Sequence, residues 1–477
     1  MNKLTILLLM LASSIAINVY SQTVSLDDTF GQDGRTIVPN TSEISFFDFD
    51  NHGNIIAVGY TMKPGVKYDL TIVKTNVDGT IDESFGNGGV TKVTDYDECL
   101  PLGLKITNDN KIVVIGSFTK VQFQGRETII MRFNEDGTVD EDFGDNGKVN
   151  LNFNGSIMSL NLESDDFMLI AKSVYQDENR SNTIEKYDYE GQLDESFGES
   201  GIVLLTNSIL PGCMKILNNG SIIVAGIYNT FPNTELGICK LTPDGELDTD
   251  FANDGIWHKD IMQDFDLSYE FFRDVFEDSE GNLLLLGWGN CSFLSKFSPN
   301  GIFDTSFGED GFYCFDSFVI HKLITQIGDK YLVAGCDRTD DRHPQIAIVN
   351  NDGSSANVVY TSGIYFAVDM KLQGNNKIIL GGRDKIDDIS YFALERVVID
   401  SETYAKLNYS SNDLIIFPNP VKENLYFSNE TAFEIFDIQG RILLTSSTPV
   451  KSVNIGSLGA GVYFIRFGNS VQKFVKE

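Results

Sequence analysis

At 477 residues, with 43 glycines and 34 phenylalanines, the chain is too long for one ordinary core and must hold several domains, or a repeat array with an appendage. Its net charge of −32 is uneven: one lysine precedes residue 22, residues 413–477 carry six basic and six acidic side chains, and 22–412 therefore hold −33. Such a surface repels phosphate backbones and excludes nucleic acid as a partner, leaving cations, basic surfaces or plain solubility.

The first element is a secretory signal over 1–21. Lys3 gives a basic start, Leu4 to Ile17 form an apolar run, and Val19 and Ser21 supply the small residues expected before a cut at Gln22. No cysteine sits at that junction to take a lipid, and no later stretch reaches the roughly 18 apolar residues of a membrane span. A soluble, exported monomer is expected, without a transmembrane segment. Export allows disulfides among Cys99, Cys213, Cys239, Cys291, Cys314 and Cys336. No CxxC pair points to zinc or redox chemistry, and most of the six occupy strand positions as buried thiols, with one or two pairs at most.

From residue 22 to about 400 the chain repeats. A Phe-Gly motif recurs at Phe30, Phe85, Phe143, Phe197 and Phe307, and at Phe251 with Ala252 for the glycine, at spacings of 55, 58, 54, 54 and 56. Between these lie apolar runs ending at Gly59, Gly116, Gly226, Gly287, Gly335 and Gly382, with Lys172 in the glycine slot of the third. A period in the fifties means a solenoid, a propeller or a domain array. The second unit resolves into four strands at Pro101–Thr107, Lys111–Phe118, Glu127–Asn134 and around 138–152, separated by Asn-Asp-Asn and Glu-Asp-Gly turns. Its second strand is apolar at every position, so both faces must be covered. Small antiparallel sheets covered on both faces and stacked radially make a β-propeller.

Seven second strands and seven motif-type segments, one degenerate near Val359, run out of phase. Phe30 has no second strand before it and Gly382 has no motif after it. A closed ring resolves this if the N-terminal segment supplies the outer strand of a seventh blade whose other strands come from about 364–400. The expected fold class is thus all-β: a seven-bladed propeller of four-stranded antiparallel blades, closed by the N-terminal strand and followed by a small β-sandwich.

The motif itself, "LDESFGESGIV" at Leu193–Val203, could be a cation cradle or a turn. Asp and Ser/Thr bond to amides two residues on, and glycine supplies positive φ. Asp140-Glu141-Asp142 resembles a calcium loop, but Leu151 stands where an EF-hand needs its bidentate glutamate. A turn is favoured, with its phenylalanine in the groove between blades; no cofactor is expected, calcium being the one weak possibility.

These repeats resemble the delta-60 family of bacterial surface and secreted proteins, and in outline NHL-type propellers. The resemblance covers roughly 24–400 and implies the fold but no activity. Unit three departs from the pattern at Lys172, and the sixth reads "DGSSANVVYTSG" in place of the motif.

After a polar linker over 401–412, residues 413–477 show strand-length apolar alternations broken by Gln-Gly, Leu-Gly and Pro signals, a small β-sandwich. This segment resembles the type A sorting domain of the type IX secretion system of Bacteroidota. The matching residues are Pro418-Asn419-Pro420, Asp437, Gly440-Arg441, Leu458, Gly461-Val462-Tyr463, Lys473 and Lys476. The resemblance implies recognition by that machinery, processing within about 401–417, and release or attachment to surface lipopolysaccharide.

Chemistry is sparse. The four histidines, His52, His258, His321 and His343, form no HExxH, and no GxSxG elbow or P-loop exists. Two connections stand out: 257–272, which gathers His258, Asp260, Asp264 and Asp266, and 336–345, which holds Arg342 and His343. Loops on a rigid scaffold carry function more often than strands do. The favoured function is a non-enzymatic surface module that binds a glycan or protein by its loop face. The alternative is a secreted polysaccharide hydrolase or lyase with paired acidic residues near the channel.

Overall fold

In the apolar second strands, successive side chains enter different cores. Ile55 and Ala57 join the cluster that includes Phe30 and Phe392, whereas Ile56 and Val58 join that of Leu104 and Val114. Each sheet is thereby a septum between two cores, which is why these strands read as unbroken apolar runs.

The computed structural model describes residues 24–476 apart from 65–66, 121–124, 152–154, 177–178, 206–208, 229–234, 261–270, 290, 316–317, 338–343, 361–363, 375, 388, 400–415, 418–420, 438–439 and 468–469. The signal segment lies outside the described residues. Four-stranded antiparallel units follow one another: Glu43–Phe49, Ile55–Lys63, Lys67–Thr75 and Val90–Val93 form blade 1. Blades 2 to 6 occupy 98–150, 156–204, 209–259, 271–315 and 318–360. Blades 1 and 2 also share a single parallel bridge, Tyr68 to Glu98.

Blade 7 joins the two ends of the repeat region. Phe366–Gln373, Lys377–Ile386 and Ile389–Ile399 are its inner strands, and Val24–Leu26 and Arg35–Val38 both pair with the last of these. An apolar cluster lies at every blade boundary, including the one between blades 7 and 1. The ring is closed by the N-terminal strand, as the phase mismatch required.

The expected fourth strand of blade 2 is corrected in detail. Only Lys148–Asn150 pairs as a strand, with an isolated bridge Phe133 to Val139 before it, because the motif turn interrupts the strand.

The glycine slot also has a physical cause. The first strand of each blade shifts register at least once, for example between Ile44 and Phe46 or between Pro211 and Cys213. The slot residue pairs just before that bulge, so a Cβ on Gly59 would stand 1.9 Å from the Glu43 carbonyl oxygen. Blade 3 admits Lys172 there, and its buried ammonium pairs with buried Glu185, which also accepts from the Tyr187 hydroxyl at 2.6 Å.

Cys99, Cys213 and Cys239 are free, buried thiols. Asn424–Phe436, Ile442–Asn454, Gly461–Phe467 and Ser470–Lys476 form the C-terminal sheet, around a core of Leu425, Ile435, Ile465 and Phe474.

Candidate functional site

The repeated motif has the geometry of a staple. In every copy but that of Asp140, which bonds Arg132 and Lys111 instead, the aspartate closes an Asx turn: Asp82 accepts from the Ser84 amide at 3.1 Å and Asp194 from that of Ser196 at 3.0 Å. In those same copies the following Gly or Ala donates its amide across the blade boundary. Gly31 bonds the Asp78 carbonyl at 2.7 Å, Gly86 that of Asp136 at 2.8 Å, and Gly308 that of Asp352 at 2.8 Å. The motif phenylalanine is buried against that same turn of the next blade, where a Cβ on Gly137 would stand 2.7 Å from the Phe85 ring. The staple thus needs a glycine in the partner turn as well as in its own.

A third component escaped the sequence reading. Eight residues before the motif aspartate stands a base: Lys74, Arg132, Lys186, Lys240 and Lys296 precede Asp82, Asp140, Asp194, Asp248 and Asp304. Arg132 Nε meets Asp140 at 2.7 Å and its guanidinium lies over the Phe143 ring at 4.3 Å. Lys186 and Lys240 each reach their aspartate at 3.0 Å. In blade 7 the unit is assembled from the chain's two ends, Arg396 over Phe30 at 4.6 Å and bonded to Asp27 at 2.8 Å. Blade 6, which lacks the motif, has Ile348 in the basic slot. Base, acid and ring are kept or lost together.

Asp140 also meets Lys111 at 3.2 Å, and although burial opposes it, its bonds to Arg132 and Lys111 hold its carboxyl below the usual range. The aspartate that headed the calcium reading is thus already neutralised by two cations.

The first strands line a central channel enclosing a cavity of about 440 Å³. Phe46, Leu102, Leu162 and Met370 give it apolar walls, and Asp48, Glu163, Lys215 and Lys371 add charge. Those charges pair across blades: Lys371 with Asp48 at 2.6 Å, and Lys215 with Glu163 at 2.7 Å. Lys105 meets Asp165 at 2.7 Å and holds that carboxyl below its usual range. The channel acids with these partners tie blade to blade. A further group, Asp50, His52 and Glu135, has ligand atoms within 4.8 Å of one another, but buried Lys74 lies 3.3 Å from Asp50 and 3.6 Å from Glu135.

The antiparallel order of strands divides the two faces of the ring. One end carries the connections between first and second strands, such as 50–54 and 107–111, and the motif-bearing ones between third and fourth strands, such as 76–89 and 134–147, which are nearly alike in blades 1 to 5. The other carries the second-to-third connections and the blade-to-blade crossings, which range from 316–317 to 260–270. Both connections singled out in the sequence leave strand ends on this varied face: Ile256–Lys259 and Phe271–Glu277 flank one, Lys330–Asp337 and Pro344–Asn350 the other. Asp264, Asp266, Arg342 and His343 lie outside the described residues. His258 is exposed, stacked on Tyr228 with ring centroids 4.2 Å apart and paired with Glu235; Asp260 is exposed beside it.

In the C-terminal sheet, Asp437 accepts from the Arg441 amide at 3.0 Å and its Nε at 2.7 Å, around Gly440 at φ 81°. Tyr463 donates to the Gly459 carbonyl at 2.8 Å and stacks on Phe474. Leu458 packs against the core and Gly461 opens the strand that pairs with Ser470–Lys476, where Lys473 is exposed and Lys476 buried. Pro418, Asn419 and Pro420 lie outside the described residues.

Comparison with known proteins agrees with this division. Residues 415–477 match the secretion system C-terminal sorting domain, and residues 107–143 and 217–251 match the domain of unknown function (DUF5122) beta-propeller. No curated protein matches the chain significantly. Among solved structures, a protein of unknown function from Dyadobacter fermentans is 11% identical at TM-score 0.42, over 77% of this chain and 98% of that one. The β-propeller domain of the Trilobed protease from Pyrococcus furiosus is 11% identical at TM-score 0.44, over 78% and 98%. A polysaccharide lyase of family PL25, an ulvan lyase, is 12% identical at TM-score 0.41, over 66% and 80%. Likeness at this level says nothing of activity. Among the described residues no helix is long and apolar enough to cross a membrane. Fold, repeats and C-terminal domain together identify the chain as a β-propeller with DUF5122-type repeats and a type IX secretion sorting domain, exported to the cell surface or beyond.

Proposed function

We propose that the protein is a surface binding module whose ligand lies on the varied face of the ring. One observation carries this reading: the uniform face is stapled blade to blade by a repeated device, while the opposite face carries connections unlike one another in length and sequence. A rigid ring presenting dissimilar loops is the arrangement from which specific binding is built. The longest connection on that face, 260–270, and the connection 229–234 both leave blade 4 there, from strands that carry His258 and Tyr228.

The test uses the mature chain on an array of glycans and surface polymers, beside a variant in which 260–270 is replaced by the four residues Thr94–Asp97. The variant should keep its melting temperature and lose affinity about tenfold for whatever the native chain binds. Equal binding by both forms, or chain cleavage of the bound polymer, would overturn the reading, the latter in favour of a hydrolase or lyase.

A further inference from the structure

We infer a peptide-docking groove on the outer rim of the ring, at the seam between blades 7 and 1, that takes an extended, largely apolar segment carrying one carboxylate. It lies apart from the central channel and from the connection 260–270. Its walls are the outer strands of the two blades, Arg35–Val38 and Val90–Val93, and it encloses about 550 Å³. Val38 is buried in the core of the seam, and half-buried Ile81 and Val90 pack against that core, so the groove has an apolar floor. Exposed Pro39 and Gly88 form its lips, and nothing stands within 4 Å of where a Cβ on Gly88 would project.

Each wall pairs on one side only: Arg35–Val38 with Ile389–Ile399, and Val90–Val93 with Lys67–Thr75. Edges left in this way accept an extended peptide as a further strand, with alternate side chains set into the floor.

Charge fixes one position in the ligand. The Lys92 ammonium crosses the seam and donates to the Asn40 carbonyl at 2.6 Å, a single neutral acceptor. Among the described residues no carboxylate pairs with it, and Asp69, the acid whose field reaches it, is bridged by Lys63. Its other N–H groups suit a partner's carboxylate, the stronger, charge-assisted kind of hydrogen bond. The rest of the partner is uncharged. A body of −33 repels a polyanion, whereas one contact at hydrogen-bond range outweighs charges beyond the ~8 Å screening length of physiological salt.

The equivalent groove between blades 3 and 4 sharpens the assignment. Leu205, Leu247 and Ile256 repeat Val38, Ile81 and Val90, but the cavity there is about 130 Å³. His258 takes the place of Lys92, stacked on Tyr228 and paired with Glu235. Asn150, Leu204, Cys314 and Ile37 stand there in blades 2, 3, 5 and 7, so a lysine in this place belongs to the seam of blades 7 and 1.

Fluorescence anisotropy of the mature chain tests the groove, with labelled peptides that alternate valine and threonine and carry one aspartate, or one asparagine in its place. The native chain should bind the aspartate peptides about tenfold more tightly, as one charge-assisted contact predicts. Lys92→Gln should bring both sets to the weaker affinity, and because Lys92 is exposed the two chains should melt within a few degrees of each other. No binding of the aspartate peptides by the native chain, equal binding of both sets, or an unchanged preference in Lys92→Gln would overturn the groove. Replacing 260–270 should leave peptide binding intact, so this inference and the reading of the varied face stand or fall separately.

Discussion

Arg396 is the residue on which closure of the ring can be tested most directly. It is 4% exposed, and its guanidinium bonds the N-terminal strand at Asp27 (2.8 Å), blade 1 at the Val77 carbonyl (2.8 Å) and its own blade at Gln373 (2.9 Å). Arg396→Met keeps much of the side-chain volume and removes the charge, leaving Asp27, 8% exposed, with one of its two cationic partners gone. Breaking a buried pair in this way costs about 3–5 kcal/mol. Lys377 still reaches Asp27 at 2.8 Å, so the lower end, about 3 kcal/mol, applies. For a ring of roughly 380 residues unfolding as one unit, an entropy of about 2 cal/mol/K per residue turns that loss into a fall of about 4 °C in melting temperature.

Acid should narrow the gap. Burial raises the Asp27 carboxyl, but Lys377, Thr29 and Arg396 outweigh it and hold it well below its ordinary 3.8. A depressed folded value stabilises above the unfolded value and is lost as pH falls through the folded one. In the variant Asp27 protonates more readily, so the difference measured by calorimetry should be smaller at pH 3 than at pH 7. The equivalent change at Lys240, whose aspartate is 24% exposed, should cost less than about 1 kcal/mol. Equal melting of native and Arg396→Met chains at pH 7, or a larger effect at Lys240, would refute the account of how the ring is closed.

Two further outcomes follow from the same geometry and from the C-terminal domain. Gly144 has φ of +53°, and a Cβ there would stand 2.3 Å from the Lys148 carbonyl, so Gly144→Val should cost about 1–3 kcal/mol by thermal melting. Added calcium should leave the native melting temperature nearly unchanged; a saturable rise would restore the cation reading of the motif. Deleting 413–477 should leave a folded propeller in the periplasm, detected by fractionation, while mass spectrometry of the exported native chain should find Gln22 at its start; surface delivery of the truncation would count against the sorting assignment.

The fold was legible because the repeat is written several times over. Apolar runs fixed the septum strands, and the mismatch between Phe30 and Gly382 exposed the closure. The basic residue of the staple was equally periodic but went unread, since a lysine or arginine in a strand carries no turn or core signal by itself. Its meaning appears only when the ring of Phe143 is placed beneath Arg132. The glycine slot was seen as punctuation, whereas its cause is the bulge in a neighbouring strand, a tertiary contact that no local pattern spells out. For the candidate site the sequence reached two unequal connections but not the Tyr228–His258 stack beside one of them, because those two rings lie 30 residues apart and meet only when their strands are paired.

That closure also gives the molecule a polarity. The last strand of blade 7, Ile389–Ile399, starts on the varied face and ends on the uniform one, where Ile399 pairs with Val24. The chain therefore leaves the ring toward the sorting domain from the stapled side. An attachment made through that end would start from the stapled side of the ring and leave the opposite face, with its dissimilar loops, unencumbered by the chain's own exit.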